Sequence, residues 1–212
     1  MIMKNLRKIY NRFVYKLNSK IKIKGRKNII KTNNTCYIKN LEVSIYGNNN
    51  KIVFGNNCKI TGVKITILGD NNVIQVGDNV IINASLVQPA ILNAVGGKSI
   101  LIGDNTMLSN NIEIHTSDYH GIYDLQGNRV NPDKNIIIGK HVWIGLGTKI
   151  LKGTKIPDGC VIAAGAVVTK TYKEKNSIIA GIPAKVIKRD IFWKNERKNK
   201  VVIPAELKYK NK

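Results

Sequence analysis

Cysteine, histidine and acidic residues are scarce in this chain of 212 residues, which has three Cys, three His and 13 Asp or Glu against 35 Lys or Arg. Cys36, Cys58 and Cys160 are odd in number and widely spaced, which excludes a disulfide framework and a zinc knuckle and fits a reducing compartment. Long apolar runs are also missing. The most apolar stretch, Val80 to Gly97, is broken by Asn83, Ser85, Gln88 and Asn93, so neither a secretory leader nor a transmembrane helix is expected. Aromatics make up only 6%, and the basic residues are not interleaved with them along one face, which argues against nucleic-acid binding.

Hydrophobic residues make up 43% of the chain, enough for a sizeable core. The charge is uneven. Residues 1–35 hold 11 Lys or Arg and no acid, residues 185–212 hold 10 against 3, and the two ends together carry +18 of the net +22. Such basic ends suit an anionic surface or polymer. The chain divides into a basic amphipathic segment at 1–35, a central domain at 36–180 and a basic segment at 181–212. Leu6, Ile9, Tyr10, Phe13, Val14 and Leu17 predict an amphipathic helix over 4–20, which either caps the domain or lies on a membrane. Residues 191–200, "IFWKNERKNK", are read as a short terminal helix.

From residue 36 the helical period gives way to short β-branched stretches separated by Gly, Asn and Asp. An aliphatic residue falls on every sixth position at Ile138, Ile144, Ile150, Ile156, Ile162 and Val168. The same spacing appears earlier in Leu68/Ile74/Val80, Val76/Ile82 and Ile102/Leu108/Ile114. A six-residue period predicts an all-β fold, a parallel β-helix of hexapeptide repeats in which each hexad is one strand and one turn. Its aliphatic residue fills the interior, while Thr148, Thr154, Cys160 and Ala166 suit cramped corners. Residues 117–135 break the pattern between Ile114 and Ile138, whose separation is a multiple of six, and are read as a loop thrown out from the helix. His115, His120 and His141, the three histidines, lie in or beside that loop.

The hexads, together with "TSDYHGIYD" (116–124), "HVWIG" (141–145), "AAGAVVTK" (163–170) and "AGIPAKVIK" (180–188), resemble the hexapeptide-repeat O-acetyltransferases over about residues 50–190. They are most similar to the enzymes that O-acetylate bacterial surface polysaccharides, including sialic-acid capsules. The resemblance implies a left-handed β-helix, a homotrimer, and acetyl-CoA bound between neighbouring subunits, with no metal. It makes His120 the general base and Trp143 the residue whose backbone N–H meets the oxyanion and whose ring packs on donor or acceptor. Gly145, Ala163, Ala164 and Gly165 are expected along the pantetheine arm beside Trp143, and Lys170, Lys185 and Lys188 at the phosphates of CoA. The usual Gly-Asn-Pro-Ala appears here as Gly181-Ile182-Pro183-Ala184.

Tyr119, Tyr123 and Arg129 are candidates for the sugar, and Asp118 for a turn or, less simply, for orienting His120. The acceptor is read as a polyanionic glycan and the location as cytoplasmic, at or near the inner face of the membrane. The runner-up is an O-acetyltransferase of a small molecule. A γ-class carbonic anhydrase is a remote alternative prompted by the His115–His120 spacing, but that family's third histidine lies upstream of the pair, and His141 lies downstream.

Overall fold

The computed structural model describes residues 18–196 and 198–208. The helix expected over 4–20 lies almost wholly outside them, and its last residue opens a strand, Lys20–Lys24. Within the described residues the chain is a parallel β-helix with three walls. The first wall stacks Ile81–Asn83, Met107–Leu108, Trp143–Ile144, Val161–Ile162 and Ile178–Gly181. The second stacks Ala90–Val95, Glu113–His115, Lys149–Leu151 and Val167–Val168. The third runs from Ile29–Lys31 through Lys51–Phe54, Val73–Val76, Ser99–Ile102 and Ile136–Ile138 to Lys155–Ile156.

The six-residue period becomes geometry in the C-terminal coils. Ile138, Ile144, Ile150, Ile156, Ile162 and Val168 fall in turn on the third, first and second walls, twice over, and all are buried. Three hexads close one coil, so Trp143 registers with Val161 and Lys149 with Val167. Burying each such side chain stabilises the fold by roughly 1.5–3 kcal/mol relative to exposure. Thr148, Thr154, Cys160 and Ala166 are buried, and the two threonines donate to backbone carbonyls, Thr148 Oγ1 to Gly145 at 2.8 Å and Thr154 Oγ1 to Val168 at 3.0 Å. All three cysteines are free and buried, and burial above all pushes the Cys58 thiol up to about 12, so these are core residues.

The N-terminal coils differ from the hexad reading. Tyr37 registers with Lys59 and Lys59 with Ile81, a coil of 22 residues. The additional length lies in two ten-residue strands, Tyr37–Tyr46 and Lys59–Leu68, the second of which pairs with the first wall through Lys59–Thr61 and with the second wall through Val63–Leu68. Inside a long strand the period is two, so Val63, Ile65 and Ile67 point inward, and Ile67 rather than Leu68 belongs to the core. Parallel pairing starts at Lys20, ahead of the boundary drawn at 36, and Ala184–Lys188 joins the sheet beyond the boundary drawn at 180.

Corners in this half are closed by asparagine. Asn28, Asn50 and Asn72 stack in the interior, the Oδ1 of Asn28 accepting from Asn50 N at 3.0 Å and that of Asn50 from Asn72 N at 2.8 Å. Asn50 Nδ2 donates to Gly69 O at 2.9 Å. Gly47, at φ +140, leaves no room for a side chain, because a Cβ there would stand 2.1 Å from Gly69 O. Replacing Asn50 with alanine strands the Asn72 N–H in the interior and leaves the Gly69 carbonyl only its longer bond from Asn72 Nδ2 at 3.2 Å. Chemical denaturation should record a loss of about 1–3 kcal/mol.

The described residues of 191–200 do not form the terminal helix read there. Ile191 N instead donates to Asn176 O at 2.9 Å, and Phe192 and Trp193 stack on His141. A short isolated helix gains little in water, whereas these rings find partners on the first wall. The one helix among the described residues is a single turn, Ala205–Lys208. Among the described residues, no helix is long and apolar enough to cross a membrane.

Candidate active site

Between His115 and Ile136 the chain leaves the helix at the edge joining the second and third walls, as expected of residues 117–135. The coil containing this loop advances 36 residues, from Glu113 to Lys149, where the next takes 18. Lys134 N donates to Thr116 O at 3.0 Å across its mouth, and Val130 N to Ile122 O and Asp124 N to Asn128 O zip its middle into a hairpin.

His120 stands on the exposed side of this loop, and its imidazole makes no hydrogen bond among the described residues. Its backbone is fixed. His120 N donates to Asp118 O at 2.8 Å, and Asn131 Nδ2 donates to His120 O at 2.9 Å. Tyr119 takes φ 65, a conformation few non-glycine residues adopt, and Ser117 Oγ supports it by accepting from Tyr119 N at 2.9 Å.

Asn131, 9% exposed, is the centre of the arrangement. Its Nδ2 also donates to Asp118 Oδ2 at 2.8 Å, and its Oδ1 accepts from Ile122 N at 2.7 Å. Lys152 Nζ, from the coil below, donates to Asn131 O at 2.7 Å and pairs with the Asp118 carboxylate. Asp118 therefore builds the turn and does not orient the imidazole. Asn131 and Lys152 escaped sequence reasoning, because neither belongs to a motif and both act on the turn through contacts nine or more residues distant.

The hydrogen bond from Lys152 holds the Asp118 carboxyl below the usual carboxylate range, with Asn131 adding to it against the opposing effect of burial. A group depressed in this way contributes stability that is complete above its ordinary pKa of about 3.9 and is lost as pH falls through the folded value. Protection of the loop amides from hydrogen exchange, corrected for the intrinsic rate, should therefore stay level from about pH 8 to 5. It should fall only below about pH 4.

His115 is occupied differently. Its Nε2 lies 3.3 Å from Glu113 Oε2, and its Nδ1 lies 3.2 Å from Asn93 Nδ2 and 3.4 Å from the Tyr119 hydroxyl. Glu113 in turn pairs with Lys149 at 2.7 Å, which holds its carboxyl below the usual range. Burial raises the Tyr119 phenol. Tyr123 and Arg129 face each other across an antiparallel bridge at the waist of the loop, and Arg129 reaches Asp133 at 3.4 Å.

Trp143 lies on the first wall, in an outward column with Ile81, Met107, Val161 and Ile178. It is 40% exposed. Its backbone N–H donates to Cys160 O at 2.9 Å as part of the sheet, so the oxyanion role expected of that amide is not open to it. The N–H groups of Gly145, Ala163 and Gly165 are likewise spent on Ile162, Ile179 and Leu146. Of the four wall amides, Ala164 N–H makes no hydrogen bond among the described residues, and Ala164 is exposed. Gly145 is needed for the fold itself, since a Cβ there would stand 2.7 Å from Ala164 N.

His141, the third histidine, is clamped. Its Nε2 donates to Trp193 O at 3.0 Å, and Trp193 Nε1 donates back to His141 O at 2.8 Å. Lys170 lies over the Tyr172 ring at 5.6 Å, while Lys185 and Lys188 are exposed on Ala184–Lys188 at the C-terminal edge of the first wall, without carboxylate partners among the described residues. The fold thus gathers Tyr119, His120, Tyr123 and Arg129 in one loop. It gathers Trp143, Ala164, Lys185 and Lys188 on or beside the first wall, across the prism from that loop.

Residues 135–170 match the family described as the hexapeptide repeat of succinyl-transferase. A polysialic acid O-acetyltransferase of Neisseria meningitidis is 45% identical over 95 residues, which are 44% of this chain and 44% of that protein. The crystal structure of the polySia specific acetyltransferase NeuO is 26% identical with a TM-score of 0.66, over 87% of this chain and 92% of that one. The polysialic acid O-acetyltransferase OatWY is 30% identical with a TM-score of 0.59, over 88% of this chain and 92% of that one. The chain spans 34% to 51% of the length of the curated relatives it matches. The β-helix has the left-handed wind of these acetyltransferases. With a common fold over nearly the whole described chain and hexads in register from Ile138 to Val168, this protein belongs to the hexapeptide-repeat O-acetyltransferase family.

Proposed function

We propose that this protein transfers the acetyl group of acetyl-CoA to a hydroxyl of a sialic-acid-containing bacterial surface polysaccharide, with His120 as the general base. The observation that carries this reading is an exposed imidazole with no hydrogen-bond partner among the described residues, on a backbone locked by Asn131, Asp118 and Lys152. That combination suits a base that must meet an incoming hydroxyl. The acceptor oxygen attacks the thioester carbonyl carbon as His120 takes its proton, and the C–S bond then breaks. The departing thiolate recovers that proton from the imidazolium, and no acyl-enzyme forms.

In this reading Lys170, Lys185 and Lys188 meet the phosphates of CoA and Ala164 N–H meets the pantetheine arm. Tyr119, Tyr123 and Arg129 meet the sugar. Placing His120 at one edge and Trp143 on the opposite wall supports a site completed by a second chain, hence a homotrimer. The net charge of +22 suits a polyanionic acceptor and a cytoplasmic enzyme held near the membrane where capsule is made.

Thiol release from acetyl-CoA, measured against a panel of sialic-acid polymers, neutral glycans and small acceptors, tests the proposal. Turnover confined to anionic glycans supports it. Turnover only with a simple sugar, serine or an antibiotic would replace the acceptor and keep the chemistry.

A further inference from the structure

The tail beyond Lys188 turns back along the corner of the first wall and brings Trp193 to Trp143. Ile191 N is bonded to Asn176 O, and two residues later Trp193 is held by two reciprocal hydrogen bonds to His141. The two rings lie flat on each other, 4.3 Å between centroids and 8° between planes, with Phe192 stacked on the same imidazole at 5.6 Å. This contact joins residues 52 positions apart. It brings the Trp193 indole to 6.0 Å from the Trp143 indole, at a tilt of 43°.

We propose that Trp193 is a second aromatic binding residue of the Trp143 site, held there by His141, and that the paired indoles take the apolar C–H face of the acceptor sugar. The inference rests on the acetyltransferase reading above. At 6.0 Å and 43° the rings leave no slot for a flat ring to slide between. They form a two-sided apolar corner instead, and a pyranose face offers a matching apolar surface whose hydroxyls stay wet at the rim.

In the acetyltransferase reading the CoA phosphates take their cations elsewhere, from Lys185 and Lys188, which lie at the C-terminal edge of the same wall. The lysines next to His141 and Trp193 in the chain are already paired, Lys140 with Asp104 at 2.9 Å and Lys194 with Glu196 at 2.7 Å. The chain's large positive charge supplies the long-range attraction for an anionic polymer, and the indole pair supplies the local fit. His141 acts here as a positioning residue, since its Nε2 and its ring are both engaged by Trp193.

The chain has two tryptophans, and both belong to this contact, so its indole spectra report on nothing else. The full chain should show coupled indole bands in circular dichroism that disappear in Trp193→Phe, and its fluorescence should be quenched by an oligosialic acid added without acetyl-CoA. Trp193→Ala should raise KM for oligosialic acid about five- to tenfold with kcat and the KM for acetyl-CoA within about twofold, and His141→Ala should follow it in the same direction. Trp193→Phe, which keeps a stacking ring, should recover most of the loss.

An unchanged glycan KM in Trp193→Ala overturns the proposal, as does a rise in the KM for acetyl-CoA instead. If no glycan is acetylated at all, the acetyltransferase reading of the acceptor fails separately. The quenching titration then still decides the indole pair, because quenching by oligosialic acid that is lost in Trp193→Ala upholds it, and absence of quenching in the parent protein refutes it.

Discussion

Replacing His120 with alanine will lower kcat by about 10²- to 10⁴-fold, the usual contribution of a positioned general base, and will leave the melting temperature unchanged. The second half of that expectation follows from the side chain being exposed and bonded to nothing among the described residues. The loop backbone is held through the carbonyl of residue 120 and the amide of Ile122, both of which the variant keeps. Steady-state thiol release and calorimetry on the same two preparations check both parts. Activity within tenfold of the parent would remove His120 from the centre of the reaction.

An Asn131→Ala variant should lose about 10²-fold in kcat although Asn131 touches no reacting atom. The alanine cannot bond His120 O, Asp118 Oδ2 and Ile122 N together, and Lys152 alone cannot hold the turn. A misplacement of about 1 Å at a catalytic group is enough for a loss of that size. Because the hydrogen bonds lost lie within the loop, the β-helix beneath should melt nearly as before, while proteolytic nicking inside 117–135 should accelerate. A variant that kept full activity with an equally protected loop would show that the His120 backbone is held by something else.

The core of the C-terminal coils was readable because the hexad is a local rule. Each aliphatic residue from Ile138 to Val168 reaches the interior regardless of what the rest of the chain does, since one strand and one turn consume six residues. The same reasoning misplaced Leu68, because a ten-residue strand alternates every second residue and hands the inward position to Ile67. The loop was legible as an interruption, and His120 within it through a resemblance. Asn131 and Lys152 carried no signal, being an ordinary loop asparagine and one of many lysines. Trp143 was half legible. Its outward position on the wall fits the motif, while the engagement of its amide with Cys160 follows from sheet register alone.

By itself the sequence determined the repeat, the aliphatic filling of the prism, the position of the loop and the basic character of both ends, all of which follow from spacing and composition along the chain. Only the tertiary structure decided the partners. The 22-residue coils stack Asn28, Asn50 and Asn72 into one ladder, the coil below the loop lends Lys152 to Asp118, and the returning tail sets Trp193 on His141. These are contacts between residues remote in sequence, and their identity depends on how many residues each coil consumes. A change of a few residues per turn re-registers every neighbour above and below it.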